Sequence, residues 1–138
     1  MSQSVKIATI LPYKENYTFQ KAQAAAIWVC DFFKYSKFKN TNYIFGNTKG
    51  NDYLTKNYIN ISINNLKSKF SSSTNEYCKN FIKKTKNNNF DIIEIHNRPL
   101  VFNYLKREID SKYILYFHND PLSMNGSKSI NERLKLLD

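Results

Sequence analysis

Two five-residue stretches repeat one pattern of chemistry-bearing side chains: His96-Asn97-Arg98-Pro99-Leu100 and His118-Asn119-Asp120-Pro121-Leu122. Imidazole, carboxamide, guanidinium and carboxylate together supply both hydrogen-bond donors and acceptors, as a polyhydroxylated ligand requires. A histidine beside a carboxylate also suits acid–base work, with Asp120 orienting His118 to take or give a proton. The chain has only 2 histidines, and both stand in this repeat. No serine or cysteine is poised beside them as a nucleophile, so the logic of a hydrolytic triad finds no third member. Metal ligation by His96, His118 and Asp120 matches no local ligand spacing, and no metal is expected. The plainer alternative is that both histidines merely finish strands, while Asn97 and Asn119 make turns and helix caps.

Each copy follows a short apolar run, Ile92-Ile93-Glu94-Ile95 in one case and Tyr113-Ile114-Leu115-Tyr116-Phe117 in the other. The sequence between them, from Pro99 to about Ile109, reads as a helix with proline in its first turn, where a missing N–H costs little. If both runs are parallel strands, one crossover returns the chain to the same edge of a sheet, and the two tips meet there. Earlier in the chain, residues 5–11 read as a buried first strand stopped by Pro12. Thr18 then caps a long helix with an inner stripe of Ala22, Ala25, Ala26, Val29, Phe32 and Phe33, ending in the region 34–40. A second strand, Asn42-Tyr43-Ile44-Phe45, is closed by Gly46-Asn47, and residues 58–63 read as a third. The polar stretch 67–73 reads as a loop. Ser73 and Glu76 have the capping-box spacing for a helix that turns Tyr77, Cys78, Phe81 and Ile82 inward and ends at Asn87-Asn88-Asn89. Ser129 and Glu132 repeat that spacing before a last helix with Ile130, Leu134 and Leu137 on its apolar face.

Alternating strands and helices predict an α/β domain: a three-layer αβα, doubly wound, mostly parallel sheet. The expected strand order is 3-2-1-4-5, with ligands bound in the crevice between the carboxyl ends of the first and fourth strands. All 3 prolines, Pro12, Pro99 and Pro121, fall at or near strand tips, which predicts three loop starts on one rim. Lys14 and Arg98 add positive charge beside helix N-termini that already favour anions, so a phosphate or diphosphate fits there.

At 138 residues the chain is long enough for a single domain with a real core. Its net charge of +10 invites an anionic partner, whether nucleic acid, a phosphorylated substrate or a membrane leaflet. The lysines, however, are spread over Lys34, Lys37, Lys39, Lys67, Lys69, Lys79, Lys83, Lys84 and Lys86, as an outward-facing solvated surface would place them. The abundance of Lys, Asn, Ile, Tyr and Phe with only 3 glycines suits an AT-rich coding sequence. Cys30 and Cys78 are isolated and read as buried, reduced thiols. No apolar run is long enough to span a membrane, and residues 1–4 lack the start of a secretion signal. The expected location is cytoplasmic, with an anionic inner membrane leaflet as the surface the charge would meet.

The segment Asp91-Ile92-Ile93-Glu94-Ile95-His96-Asn97-Arg98-Pro99, a helix, and then Ile114-Leu115-Tyr116-Phe117-His118-Asn119-Asp120-Pro121 resembles the N-terminal domain of family 4 glycosyltransferases. The resemblance spans nearly the whole chain as strand–helix order, with the two tips as its specific part. It implies the Rossmann-like N-terminal half of a GT-B fold and a retaining, metal-independent sugar transfer from a nucleotide-sugar donor to a glycan or lipid-linked acceptor, as in cell-surface polysaccharide synthesis. It implies that this domain shapes the acceptor side, that His118 reaches toward the donor sugar as the catalytic residue, and that Tyr13-Lys14-Glu15-Asn16 lines the diphosphate and acceptor side. His96, Asn97, Arg98, Asn119 and Asp120 complete the implied substrate-binding set.

Two features depart from that family. Its members place glycines after the first strand, whereas this chain has none before Gly46. The second, nucleotide-binding domain with its paired glutamates is absent, and the chain stops at Asp138, one or two turns into a helix. Residues 1–138 are therefore expected to be a single acceptor-side domain, the front part of something longer, inactive alone and prone to dimerise through its exposed docking face. The alternative is a non-catalytic α/β binding module for a phosphorylated or nucleic-acid ligand. Its response-regulator version is disfavoured because Pro12-Tyr13-Lys14, not acidic residues for magnesium, follows the first strand.

Overall fold

The structure, a computed structural model, describes residues 4–64 and 71–138. The expected loop over 67–73 lies outside the described residues as far as residue 70, as does the N-terminal stretch 1–3. In chain order the elements are β1 (Ile7–Ile10), α1 (Ala24–Tyr35), β2 (Asn42–Gly46), β3 (Tyr58–Asn60), α2 (Ser73–Thr85), β4 (Ile92–His96), α3 (Pro99–Glu108), β5 (Lys112–Tyr116), a short 3₁₀ turn (Pro121–Ser123) and α4 (Ile130–Leu137). The five strands form one sheet in the order β3-β2-β1-β4-β5, and every pairing is parallel. This is the expected α/β architecture and the expected order. β1 is buried along its whole length because it lies at the centre of a sheet covered on both faces.

Alternation along each strand sorts side chains between two cores. Ala8, Ile10, Phe45, Ile93 and Ile95 face α2 and α3, where Tyr77, Phe81, Val101 and Leu105 close the larger core. On the other face Leu11 and Ile44 meet Ala26, Val29 and Cys30 of α1, with Tyr17 and Tyr58 stacked beside them at 5.0 Å. Cys30 and Cys78 are buried free thiols, as expected. One helix cannot cover five strands, so the β4–β5 part of α1's face is left more open. Ile114 is 39% exposed there and Trp28 40%.

Several local expectations are corrected. α1 begins at Ala24, not after Thr18, because the buried Tyr17 and Thr18 hold the preceding segment in bridge contacts, Asn16 with Ala22 and Thr18 with Tyr53. The helix start is satisfied from a distance instead, the Ala26 N–H donating to the Glu15 carboxylate at 3.0 Å. Phe32 points outward at 50% exposure, while Cys30 takes a place on the inner stripe. β3 has three residues instead of six. α2 is capped by Ser72, whose side chain accepts from Asn75 N, and Glu76 instead accepts from Asn64 N at 2.7 Å. The capping box of Ser129 and Glu132 forms as expected. The face it was expected to bury does not: Ile130, Leu134 and Leu137 are exposed, and Leu136 packs toward the larger core.

Candidate functional site

Because β1, β4 and β5 are adjacent and parallel, their carboxyl ends share one edge of the sheet, with Pro12, Pro99 and Pro121 following them in turn. The buried Tyr77 hydroxyl of α2 donates to the Leu11 carbonyl at 2.7 Å, bracing the β1 tip from below. The β4 and β5 tips are stapled to each other by Asn97. Its backbone is in the left-handed region, φ 53°, which asparagine tolerates better than most side chains. Its N–H donates to the Tyr116 carbonyl at 2.8 Å, and its side-chain oxygen accepts from His118 N at 2.7 Å and Asn119 N at 3.4 Å. Asn97→Ala removes this acceptor and puts a less tolerant residue at positive φ. The expected cost is about 1–3 kcal/mol of unfolding free energy. Asn97→Asp keeps the acceptor and should recover much of it in the same urea titration; equal losses in both variants would contradict the staple.

A cleft of about 810 Å³ opens along this edge. Tyr13 and Lys14 from the β1 tip, Asn97 and Arg98 from the β4 tip, and Asn119 from the β5 tip line it. Glu15 and Lys128 stand there too. The outer wall is the loop around Gly126. That residue has φ 94°, and a side-chain carbon added there would lie 2.9 Å from Leu100 Cδ2, so only glycine lets the loop close on α3.

Arg98 is the cleft's principal charge. Its guanidinium carbon stands 4.8 Å from the centre of the Tyr13 ring, a cation–π contact. Its Nε is buried with no hydrogen-bond partner among the described residues. The one salt bridge found among the described residues joins Lys34 to Asp31, far away in sequence, so Arg98 has no carboxylate within bonding distance. Burial raises the Glu15 pKa, while the Ala26 N–H and then the Arg98 charge pull it back. Placed over a ring beside the start of α3, a guanidinium with no ion pair among the described residues can take a phosphate or carboxylate in two parallel hydrogen bonds.

The histidines occupy a different position from the expected one. His96 is fully buried, and neither histidine lines the cleft. His96 Nδ1 and His118 Nε2 are 2.7 Å apart, a hydrogen bond carrying one shared proton. The two rings lie edge to edge and nearly coplanar, 17° apart, boxed by Tyr116 and Trp28. Burial first, and the facing His118 ring second, push the His96 pKa down to about 3; burial lowers that of His118. His96 is therefore closed off from the cleft in this structure. It braces His118 instead, a role the sequence assigned to Asp120. The Asp120 carboxylate accepts from Leu122 N at 2.9 Å and so caps the 3₁₀ turn. Because Pro121 has no N–H, the Leu122 N–H is the first backbone donor that follows Asp120.

The structure thus gathers Tyr13, Lys14, Asn97, Arg98 and Asn119 into one cleft and leaves His96, His118 and Asp120 out of its lining. Trp28, which covers the histidine pair, was missed because it sits on the outward side of the expected helical stripe. Among the described residues no group of three or more His, Cys, Asp or Glu side chains is arranged to hold a metal ion. No family model, no curated protein and no solved structure matches the chain.

Proposed function

We propose that the domain is the acceptor-side, Rossmann-like half of a family 4 GT-B glycosyltransferase, working in the cytoplasm on a glycan or lipid-linked acceptor. The observation that carries the reading is the convergence of Tyr13, Lys14, Asn97, Arg98 and Asn119 on one cleft at the β1–β4 crevice. Carboxamides offer donors and acceptors for sugar hydroxyls, and the unpaired Arg98 offers a seat for the phosphate that links a sugar to its carrier. In this reading His118, half-buried beside Asn119, contacts the donor sugar across the opening to a second lobe, which would hold the nucleotide. No metal takes part. In this reading residues 1–138 by themselves turn over no nucleotide sugar.

A second reading, a plain anion-binding module, draws on the same Arg98 together with Lys14 and Lys128. Calorimetric titration separates the two. The transferase reading expects a hexose 1-phosphate to bind at least about tenfold tighter than inorganic phosphate or a neutral methyl glycoside, since one or two added hydrogen bonds to sugar hydroxyls, or the phosphate's bonds to Arg98, are each worth about that much. Equal affinity for phosphate and sugar phosphate supports the anion module and removes the sugar reading.

A further inference from the structure

The second half of α1 and the residues just after it carry an aromatic surface that the cleft does not use. Trp28 and Phe32 stack on each other at 5.2 Å and 5°, with Phe32 half exposed, and Tyr35 is 90% exposed. Together with Phe38 and Lys37 they line a shallow depression of about 550 Å³. Lys37 Nζ lies over the Phe38 ring, 5.1 Å from its centre, a cation–π contact within the depression. Lys34 and Lys39 are exposed nearby, so the segment sets three lysines against the single Asp31, which Lys34 pairs at 3.5 Å. Through Trp28 the patch continues to Tyr116, 5.4 Å away on β5, the outermost strand on that side. A contiguous apolar patch of this kind on a charged domain marks an interaction surface.

We propose that this face, Trp28 through Lys39, docks on an anionic membrane leaflet. Charge complementarity selects the occupant. A chain with net charge +10 repels a second copy of itself and is drawn to a negatively charged surface. Aromatic rings fringed by lysines match the boundary between headgroups and acyl chains, where rings sit shallowly and ammonium groups stay in water. Stacked nucleobases fit less well, because Trp28 and Phe32 already present their ring faces to each other. No helix among the described residues is long and apolar enough to cross a membrane, so the contact is a surface one. The inference goes beyond the glycosyltransferase reading and does not depend on it.

The test uses the intact chain with vesicles of phosphatidylcholine alone or mixed with phosphatidylglycerol. Trp28 is the only tryptophan, so its emission reports this face directly. The expected result is a blue shift and co-sedimentation with the phosphatidylglycerol vesicles but not with phosphatidylcholine alone. Phe32→Ser with Tyr35→Ser abolishes the shift. Lys34→Gln, Lys37→Gln and Lys39→Gln together lower partitioning on the order of 100-fold. The proposal is overturned if vesicle binding survives both variants, which would assign it to lysines elsewhere such as those of α2. Self-association that shifts Trp28 without vesicles overturns it too, as does an oligonucleotide shifting Trp28 where anionic vesicles do not.

Discussion

Arg98→Ala is expected to weaken sugar-phosphate binding roughly 10- to 100-fold, the worth of one or two charge-assisted hydrogen bonds. The unfolding midpoint should scarcely move. Among the described residues Arg98 makes no ion pair and its buried Nε has no partner, so truncation strands nothing there. What is lost inside the protein is the contact with Tyr13, about 0.5–1 kcal/mol at a partly exposed site. Arg98→Lys should fall between wild type and alanine, because it keeps the charge but not the planar fork. A variant that binds normally yet unfolds far more easily would make Arg98 a structural residue of the α3 start.

Acid should destabilise the fold, and His96 should account for most of the loss. In the unfolded chain this imidazole takes up a proton near pH 6.5, whereas in the folded protein burial and His118 hold it neutral down to about 3. Between those values the unfolded state binds more protons, so stability falls as pH falls through that window. The full shift corresponds to about 4–5 kcal/mol, and roughly 2–3 kcal/mol of it should be gone by pH 4.5. The buried carboxylates Glu15 and Glu94, both raised chiefly by burial, work the other way just above pH 4.5, because the folded state binds their protons first. They oppose the His96 effect, while His118, whose pKa burial also lowers, adds to it. Urea titrations from pH 7.5 to 4.5 should show the decline in wild type and a much flatter profile in His96→Asn. A flat wild-type profile, or an unchanged slope in the variant, would contradict this assignment.

The fold was largely legible from the sequence, for physical reasons that apply strand by strand. Ile7–Ile10 and Ile92–His96 are apolar enough to lie buried on both faces, and that property belongs to central parallel strands. Proline after three strand tips told where loops begin. What failed was cap and stripe assignment wherever a distant residue supplied the answer. Glu15 caps α1 from eleven residues away, and a local scan for Ser, Thr, Asp or Asn has no means of finding it. Phe32 and α4's Ile130, Leu134 and Leu137 fit an apolar stripe by spacing, yet face outward because no neighbouring layer covers them.

The site was legible in part for a related reason. Parallel pairing of β4 with β5 puts His96 opposite Tyr116, so the repeat does bring its two copies together. The sequence could not say that alternation turns His96 toward the Trp28 side of the sheet, leaving the carboxamides and Arg98 at the opening. The residues next to the histidines, not the histidines, carry the cleft.

The account stands most directly on where a ligand sits, which amide chemical-shift mapping of the ¹⁵N-labelled protein titrated with a hexose 1-phosphate would measure. The expected perturbations centre on Tyr13, Lys14, Asn97, Arg98 and Asn119, with weaker effects at His118. Saturable shifts confined to the lysine-rich outer surface of α2, or no saturable shifts at any rim residue, would contradict it.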